Sequence, residues 1–387
     1  MTTQTEHRTT SPTVTGKQSF RRRWSDWWNN LSRYQQWGVL IPLVVLIYLL
    51  PILNPPILTT EPGTDFQLAL FNAARIALIA IGLNVVVGQA GLLDLGYVGF
   101  FAIGAYVMAL FTSPDSALAV RYPWLVVVPI AMLVTMVSGV ILGTPTLRLR
   151  GDYLAIVTLG FGEIVRLLAD NIEPLRGNRG FQSIGRPPGE YADGTPIFTQ
   201  TDGTPWYWLT VTVIILVLIL VGNLERSRVG RAWVAIREDE DAAEIMGVPT
   251  FKFKILAFII GAAIGGLSGA IYAGQIGFVN NQRFDVVTSV LFLAAVVLGG
   301  SGNKVGVILG AFVISYVPDR FQSIAEYRFL IFGLALIILM LFRPQGLLGA
   351  RQRLLARGRE AYQRLLGRPE QVATESAMID SQKGVKA

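Results

Sequence analysis

Apolar runs long enough to cross a lipid bilayer limit the fold of this chain more than any other feature of its sequence. Crossing takes ~20 residues of helix, because lipid offers no partner to an open backbone. Strong runs cover 37–53, 66–87, 95–111, 124–142, 206–222 and 254–275. Four shorter runs, 153–168, 287–300, 304–318 and 329–342, cannot span upright alone and predict broken, re-entrant or longer helices. Composition agrees: of 387 residues 52% are hydrophobic and 15% charged, against about 25% charged in soluble domains. The expected fold is all-α, a polytopic transmembrane helical bundle of 8–10 spans, with ten favoured.

Charge sets the orientation. RRRW at 21–24 precedes the first run, whereas NPPILTTEPGTD at 54–65 carries no Lys or Arg. The positive-inside rule then places the N-terminus in the cytoplasm and 54–65 outside. TLRLRGD (146–152) falls inside, a long polar loop at 169–205 falls outside, and the arginine-rich tail after Arg343 falls inside. Ten spans with N and C termini cytoplasmic satisfy every loop; eight spans with two re-entrant segments is the alternative.

Three regions follow. Residues 1–36 form a cytoplasmic disordered tail and an interfacial aromatic helix, with Trp24, Trp27, Trp28, Leu31 and Tyr34 at helical spacing. Residues 37–349 form the transmembrane domain, and 350–387 a basic cytoplasmic tail whose 350–368 segment rests on membrane lipid or a partner protein. No small-residue cleavage site follows the first run, so it is expected to stay in the protein.

The sequence also excludes chemistry. The net charge of +7 is concentrated beside apolar segments, which reads as topology and not as nucleic-acid binding. Cysteine is absent, and the single histidine, His7, lies in the Ser/Thr-rich N-terminal tail. Thiolate metal sites and Cys or His catalysis are therefore not expected. GGSGNKVG at 299–306 lacks the Gly-Lys-Ser/Thr of a nucleotide-binding loop. The chain is thus expected to be no enzyme, with no cofactor or metal of its own. The candidate intramembrane carboxylates are few: Asp94, at the edge of the 95–111 run, and Glu163, with Arg166 able to pair with it on one helical face.

RAWVAIREDEDAAEIMGV at 231–248 interrupts this apolar chain on its cytoplasmic side. Its spacing predicts one helix, with Trp233, Ile236, Ala243 and Met246 or Gly247 near one face. Arg237, Glu238, Asp241 and Glu244 occupy the other, with Arg237 within one turn of Asp241. Gly247 would stop the helix. An ordered face of this kind predicts docking onto something below the membrane.

D-A-A-x-x-x-G at Asp241 to Gly247 resembles the coupling motif of ABC importer permeases, with Asp in place of the usual Glu. GLNVVVGQAGLLDLGYVGFFAIGAY (82–106), GDYLAIVTLGFGEIVRLLADN (151–171), the 231–248 segment and LFRPQGLLG (341–349) together resemble branched-chain amino-acid ABC importer permeases of the LivM type. Two departures are visible: Asp-Leu-Gly-Tyr at 94–97 where that family often has Ser-Leu-Gly-His, and a loose match over 176–194.

The resemblance implies a second homologous permease subunit, two ABC ATPase subunits that use the ATP and Mg, and an extracytoplasmic solute-binding protein. It implies ATPase coupling through Arg231, Glu240, Asp241, Ala242, Ala243 and Gly247. Asn84, Gln89, Asp94 and Glu163 are the polar candidates for a translocation path; the first three serve equally to satisfy a backbone broken near Gly88 and Gly91. Gly88, Gly91 and Gly99 recur 211 residues later as Gly299, Gly302 and Gly310, as an internal duplication would leave them. A urea or short-amide importer permease would share these motifs, and an ion-coupled secondary transporter is the rival from another class.

Overall fold

A computed structural model describes residues 33–321, apart from 57, 62–63, 119–120, 148 and 150, together with scattered positions between 327 and 341. The expected aromatic helix before residue 33, most of the 329–342 run and the basic tail lie outside the described residues. The chain divides into two units, residues 1–54 and 55–387. In the first, α1 (Arg33–Leu53) carries Pro42 and Pro51 and exposes Ile41, Leu43 and Leu46.

The second unit is a helical bundle. Its helices are α2 (Phe66–Asn84), α3 (Tyr97–Thr112), α4 (Trp124–Thr146), α5 (Asp152–Asn171), α6 (Gly203–Arg226), α7 (Arg228–Glu238), α8 (Glu240–Ile245), α9 (Thr250–Ile276), α10 (Val286–Gly299) and α11 (Lys304–Arg320). Short polar side chains begin several of them. Asp65, Asp202, Ser227, Asp285 and Asn303 each accept a backbone N–H of the following first turn, satisfying donors that a helix start leaves free.

Five helical stretches among the described residues are long and apolar enough to cross a membrane: Phe66–Gln89, Trp124–Thr146, Gly203–Arg226, Thr250–Ile276 and Asn281–Gly299. Two of the expected short runs are longer as helices. The 153–168 run becomes the 20-residue α5, its charges keeping it out of that apolar set, and 287–300 gains length from the turn at Asn281–Arg283.

The apolar stretches differ in how they are covered. Those of α2 and α9 are 78% and 72% buried, against 28% and 33% for α4 and α6. The first two are therefore the core, and the second two turn Leu125, Leu133, Leu216 and Ile219 outward. Glycine lets the core close. A side chain at Gly104 on α3 would strike the backbone of Gly266 on α9, and one at Gly269 would strike the backbone of Phe101 and Ala105. This small-residue packing brings the α3 and α9 backbones together without a hydrophobic driving force, as lipid requires.

The bundle has two ends. At one, the 169–205 segment is tied down: Gly185 N–H donates to Thr112 at 2.9 Å, Arg176 pairs with Asp115 at 3.1 Å, and Gln200 donates to the Ile276 carbonyl at 3.0 Å. There β1 (Phe181–Gln182) pairs antiparallel with β2 (Phe278–Val279), in the register Phe181 to Val279. At the other end lie the last turn of α2, the α10–α11 turn and α7.

Candidate coupling and translocation site

The segment 231–248 is two helices, not the single one its spacing predicts. Asp239 is extended, at φ −158° and ψ 112°, and its carboxylate accepts the Ala242 N–H at 3.0 Å. A short acidic side chain can cap a new helix start, and this one outcompetes continuation of α7. Within α7, Trp233 is fully buried and its indole N–H donates to the Phe253 carbonyl at 2.7 Å. Ile236 is buried beside it in the chain. Arg231, on the exposed side, donates to the Arg226 carbonyl at 3.2 Å.

In α8, Glu240 forms an ion pair with Lys254, a buried cation at the start of α9. Ala243 is buried, whereas Asp241 and Ala242 are exposed. Gly247 stops the helix: at φ +84° it donates to the Glu244 carbonyl at 2.9 Å while Val248 N–H reaches the Ala243 carbonyl at 3.0 Å. These two bonds are a Schellman closure, and its left-handed residue favours glycine. Ile245 and Met246, just before that turn, are 85% and 82% exposed. Met246 therefore does not join Trp233 and Ile236 on a covered face; the break at Asp239 changes the phase of everything after it.

Arg237 reaches beyond its own segment: its guanidinium donates to the Gly88 carbonyl. Gly88 lies in a π-turn, Val85–Gln89, that ends α2. Carbonyls at a helix C-terminus lack partners, and a cation suits them. The same spot receives the α10–α11 turn. Asn84 Oδ1 accepts the Gly302 N–H at 2.8 Å, and a side chain on Gly88 would collide with that nitrogen. Gly91 (φ +74°) and Gly302 (φ +86°), the pair spaced 211 residues apart, both abut Arg237. Arg237 thus sits between two glycine breaks that belong to different parts of the chain.

A polar chain flanks this contact. Gln89 donates to one Glu225 oxygen at 2.5 Å, and Lys304 pairs with the other at 2.6 Å, linking the ends of α2, α6 and α11. Asp94 is buried and its Oδ1 accepts the Gly96 N–H at 2.9 Å. Glu163 pairs with Arg166, whose Nε donates to both carboxylate oxygens at 3.0 Å; this pair is part-exposed. The four polar candidates therefore do not form one cluster. Asn84 and Gln89 meet at the α7 end, Asp94 closes its own turn, and Glu163 lies on α5 with Arg166.

Comparison with known proteins resolves what this arrangement belongs to. The family described as "Branched-chain amino acid transport system / permease component" matches residues 67–341. The chain belongs to this family. The branched-chain amino acid permease LivM of Escherichia coli is 40% identical over 289 residues, covering 70% of this chain and 67% of that protein. LivH of the same organism, named a permease of the same transport system, is 25% identical over 302 residues, covering 75% and 97%. The autoinducer 2 import permease LsrC of Salmonella typhimurium is 26% identical over 262 residues, covering 64% and 71%. No solved structure matches. The chain is accordingly a membrane permease component of a transport system and not an enzyme.

In this branched-chain permease, Glu225, Lys304 and Lys254 are site residues the sequence did not single out, and Arg237 was singled out with the wrong partner. The first three stand at ends of apolar runs, where a charge also reads as a topology signal, so spacing alone carries no sign of a partner.

Proposed function

We propose that this permease imports leucine, isoleucine and valine by alternating access, sharing its pore with a second, LivH-like permease. Two partner ATPases use the ATP and Mg; this chain holds no cofactor. A solute-binding protein docks on the external loops, including 169–205. In this reading the permease domain, 37–349, has ten spans with both termini cytoplasmic, flanked by the tails 1–36 and 350–387.

The observation that carries the mechanism is Arg237. The exposed tip of α8, with Asp241, Ala242, Ile245 and Met246, seats on an ATPase. Glu240, Ala243 and Gly247 hold that tip in shape, and Arg231 faces the same cytoplasmic side. When the ATPases close, α7 moves with α8, and Arg237 transmits the motion to the breaks at Gly88–Gly91 and Gly302. A discontinuous helix is the element that most easily takes two arrangements around a solute. Asn84 and Gln89 then act as the latch of the inner gate, and Asp94 and Glu163 as polar positions nearer the path.

The test is uptake of labelled leucine by cells with and without this gene, with excess isoleucine, valine or urea as competitors. Gene-dependent uptake that isoleucine or valine abolishes and urea does not is the expected result. Unchanged leucine uptake with gene-dependent urea entry would overturn the substrate.

A further inference from the structure

We propose that Arg75 is the group that binds the solute carboxylate inside this permease, an inference that rests on the amino-acid reading above. Arg75 lies nine residues into α2, about 14 Å from its start at 1.5 Å per residue, near the middle of a 24-residue apolar stretch. A cation at that depth is expensive unless something compensates it, and such residues mark ligand pathways by default. Arg75 has no hydrogen bond or ion pair to another described residue, and its Nε is sealed from solvent without a partner. Asp319 and Arg283 act on it only across space.

What surrounds it is aromatic. The guanidinium lies 4.7 Å from the centroid of Tyr272 and 6.0 Å from that of Phe101. Phe101 is the hub of a larger cluster, with Tyr272 at 5.2 Å and Phe284 and Phe292 each at 5.6 Å. Stacking orients a guanidinium but leaves its in-plane N–H donors unused, and those donors match a carboxylate. Two further buried atoms are unpaired on the turn that carries Phe284: Asn280 Oδ1 and Asn281 Oδ1, both acceptors.

A guanidinium with a buried, unpaired Nε, a pair of unpaired acceptors and a wall of rings are the three complements of one molecule. A branched-chain amino acid presents a carboxylate, an ammonium and an apolar side chain. The carboxylate takes Arg75, the ammonium faces Asn280 and Asn281, and the side chain lies on Phe101 and Phe292. Buried polar groups in native proteins ordinarily find partners, and the transported solute supplies those missing here.

The experiment uses the full-length chain with its partner permease and ATPases in phosphatidylcholine nanodiscs, the binding protein left out so that selectivity reports the permease. Thermal-shift titrations compare leucine, 4-methylpentanoate, which lacks the ammonium, and leucinol, which lacks the carboxylate. Half-saturation for both carboxylates is expected at least tenfold below that for leucinol. Arg75→Gln should raise both tenfold or more and close the gap, leaving leucinol unchanged. Arg75→Lys, which keeps the charge and loses the fork, should raise them at least threefold, and serves alone where the glutamine variant does not assemble.

A wild-type complex without the gap, or an Arg75→Lys complex with wild-type carboxylate affinities, overturns the proposal. So does stabilisation that follows added phosphatidylglycerol and not leucine, which would make Arg75 a lipid site. Gene-dependent leucine uptake in cells separates the two readings. Where uptake is present without carboxylate preference, only the Arg75 site falls; where uptake is absent, the amino-acid reading falls with it.

Discussion

Helices α7 and α8 are adjacent in sequence and opposite in attachment. The first is anchored through Trp233, fully buried, and through Arg237 to the end of α2. The second is held through the Glu240–Lys254 ion pair and the buried Ala243, and ends in two apolar side chains more than four-fifths exposed. Asp239 separates them with a single extended residue. The contrast teaches that one charged stretch can combine a fixed lever with an open contact surface. If that division is right, substitutions in α7 should act on the fold and on transmission, and those in α8 on the partner.

Trp233→Ala should have the largest effect. Removing a fully buried indole costs about 3–5 kcal/mol, and here it also removes the indole hydrogen bond to the Phe253 carbonyl. Thermal unfolding of the solubilised protein, followed by size-exclusion, should show a large loss of folded chain. Wild-type yield and transport in this variant would mean that α7 is not the anchored half.

Arg237→Gln comes next. A hydrogen bond from a charged donor contributes about 1.5–3 kcal/mol, and its loss leaves the Gly88 carbonyl without its cation. Folding should survive, leucine uptake should fall at least tenfold, and the ATPase activity of the complex should persist. Arg237→Lys should recover part of the uptake. Equal loss of uptake and ATPase activity in the glutamine variant would place Arg237 in assembly and remove it from transmission.

These residues also show what the sequence disclosed. The bundle was legible because lipid demands long apolar helices, and α2, α4, α6 and α9 lie where their runs predict. The turn at Gly247 was legible because a left-handed helix end favours one residue type. Asp239 was not, because an acidic residue in an acidic run gives no sign of which copy caps a helix. Arg237 pointed to Asp241 by its spacing, and what it reaches is 149 residues away, at Gly88. Arg75 stood in plain view inside the 66–87 run, yet a single cation does not disturb an apolar average. Its significance arises from rings on α3 and α9 that only the fold brings to it.

The exposed end of α8 gives a smaller effect with a different readout. Ile245→Asp combined with Met246→Asp places charge where the structure has open surface, so stability should change by no more than about 0.5 kcal/mol. Co-purification of the ATPases should fall at least tenfold, equivalent to about 1.4 kcal/mol of binding. Unchanged co-purification would show that the partner seats elsewhere, and the contrast between the two helices would lose its functional half.

Gly247→Ala should have the smallest effect on assembly and the most selective effect on function. No atom lies within 4 Å of the position a new Cβ would take, so packing raises no objection. The objection is conformational: φ is +84°, and a left-handed residue with a Cβ costs about 1–2 kcal/mol. The chain can relieve that strain only by giving up the closure to Ala243 and Glu244, which lets α8 run on and turns Ile245 and Met246 relative to Lys254. The ATPases would still find an apolar tip, but in the wrong orientation to the lever. Membrane insertion should therefore match wild type and ATP hydrolysis should continue, while leucine moved per ATP falls severalfold. A variant that hydrolyses and transports in the wild-type ratio would show that the orientation of the tip does not matter, and that contact alone couples the two machines.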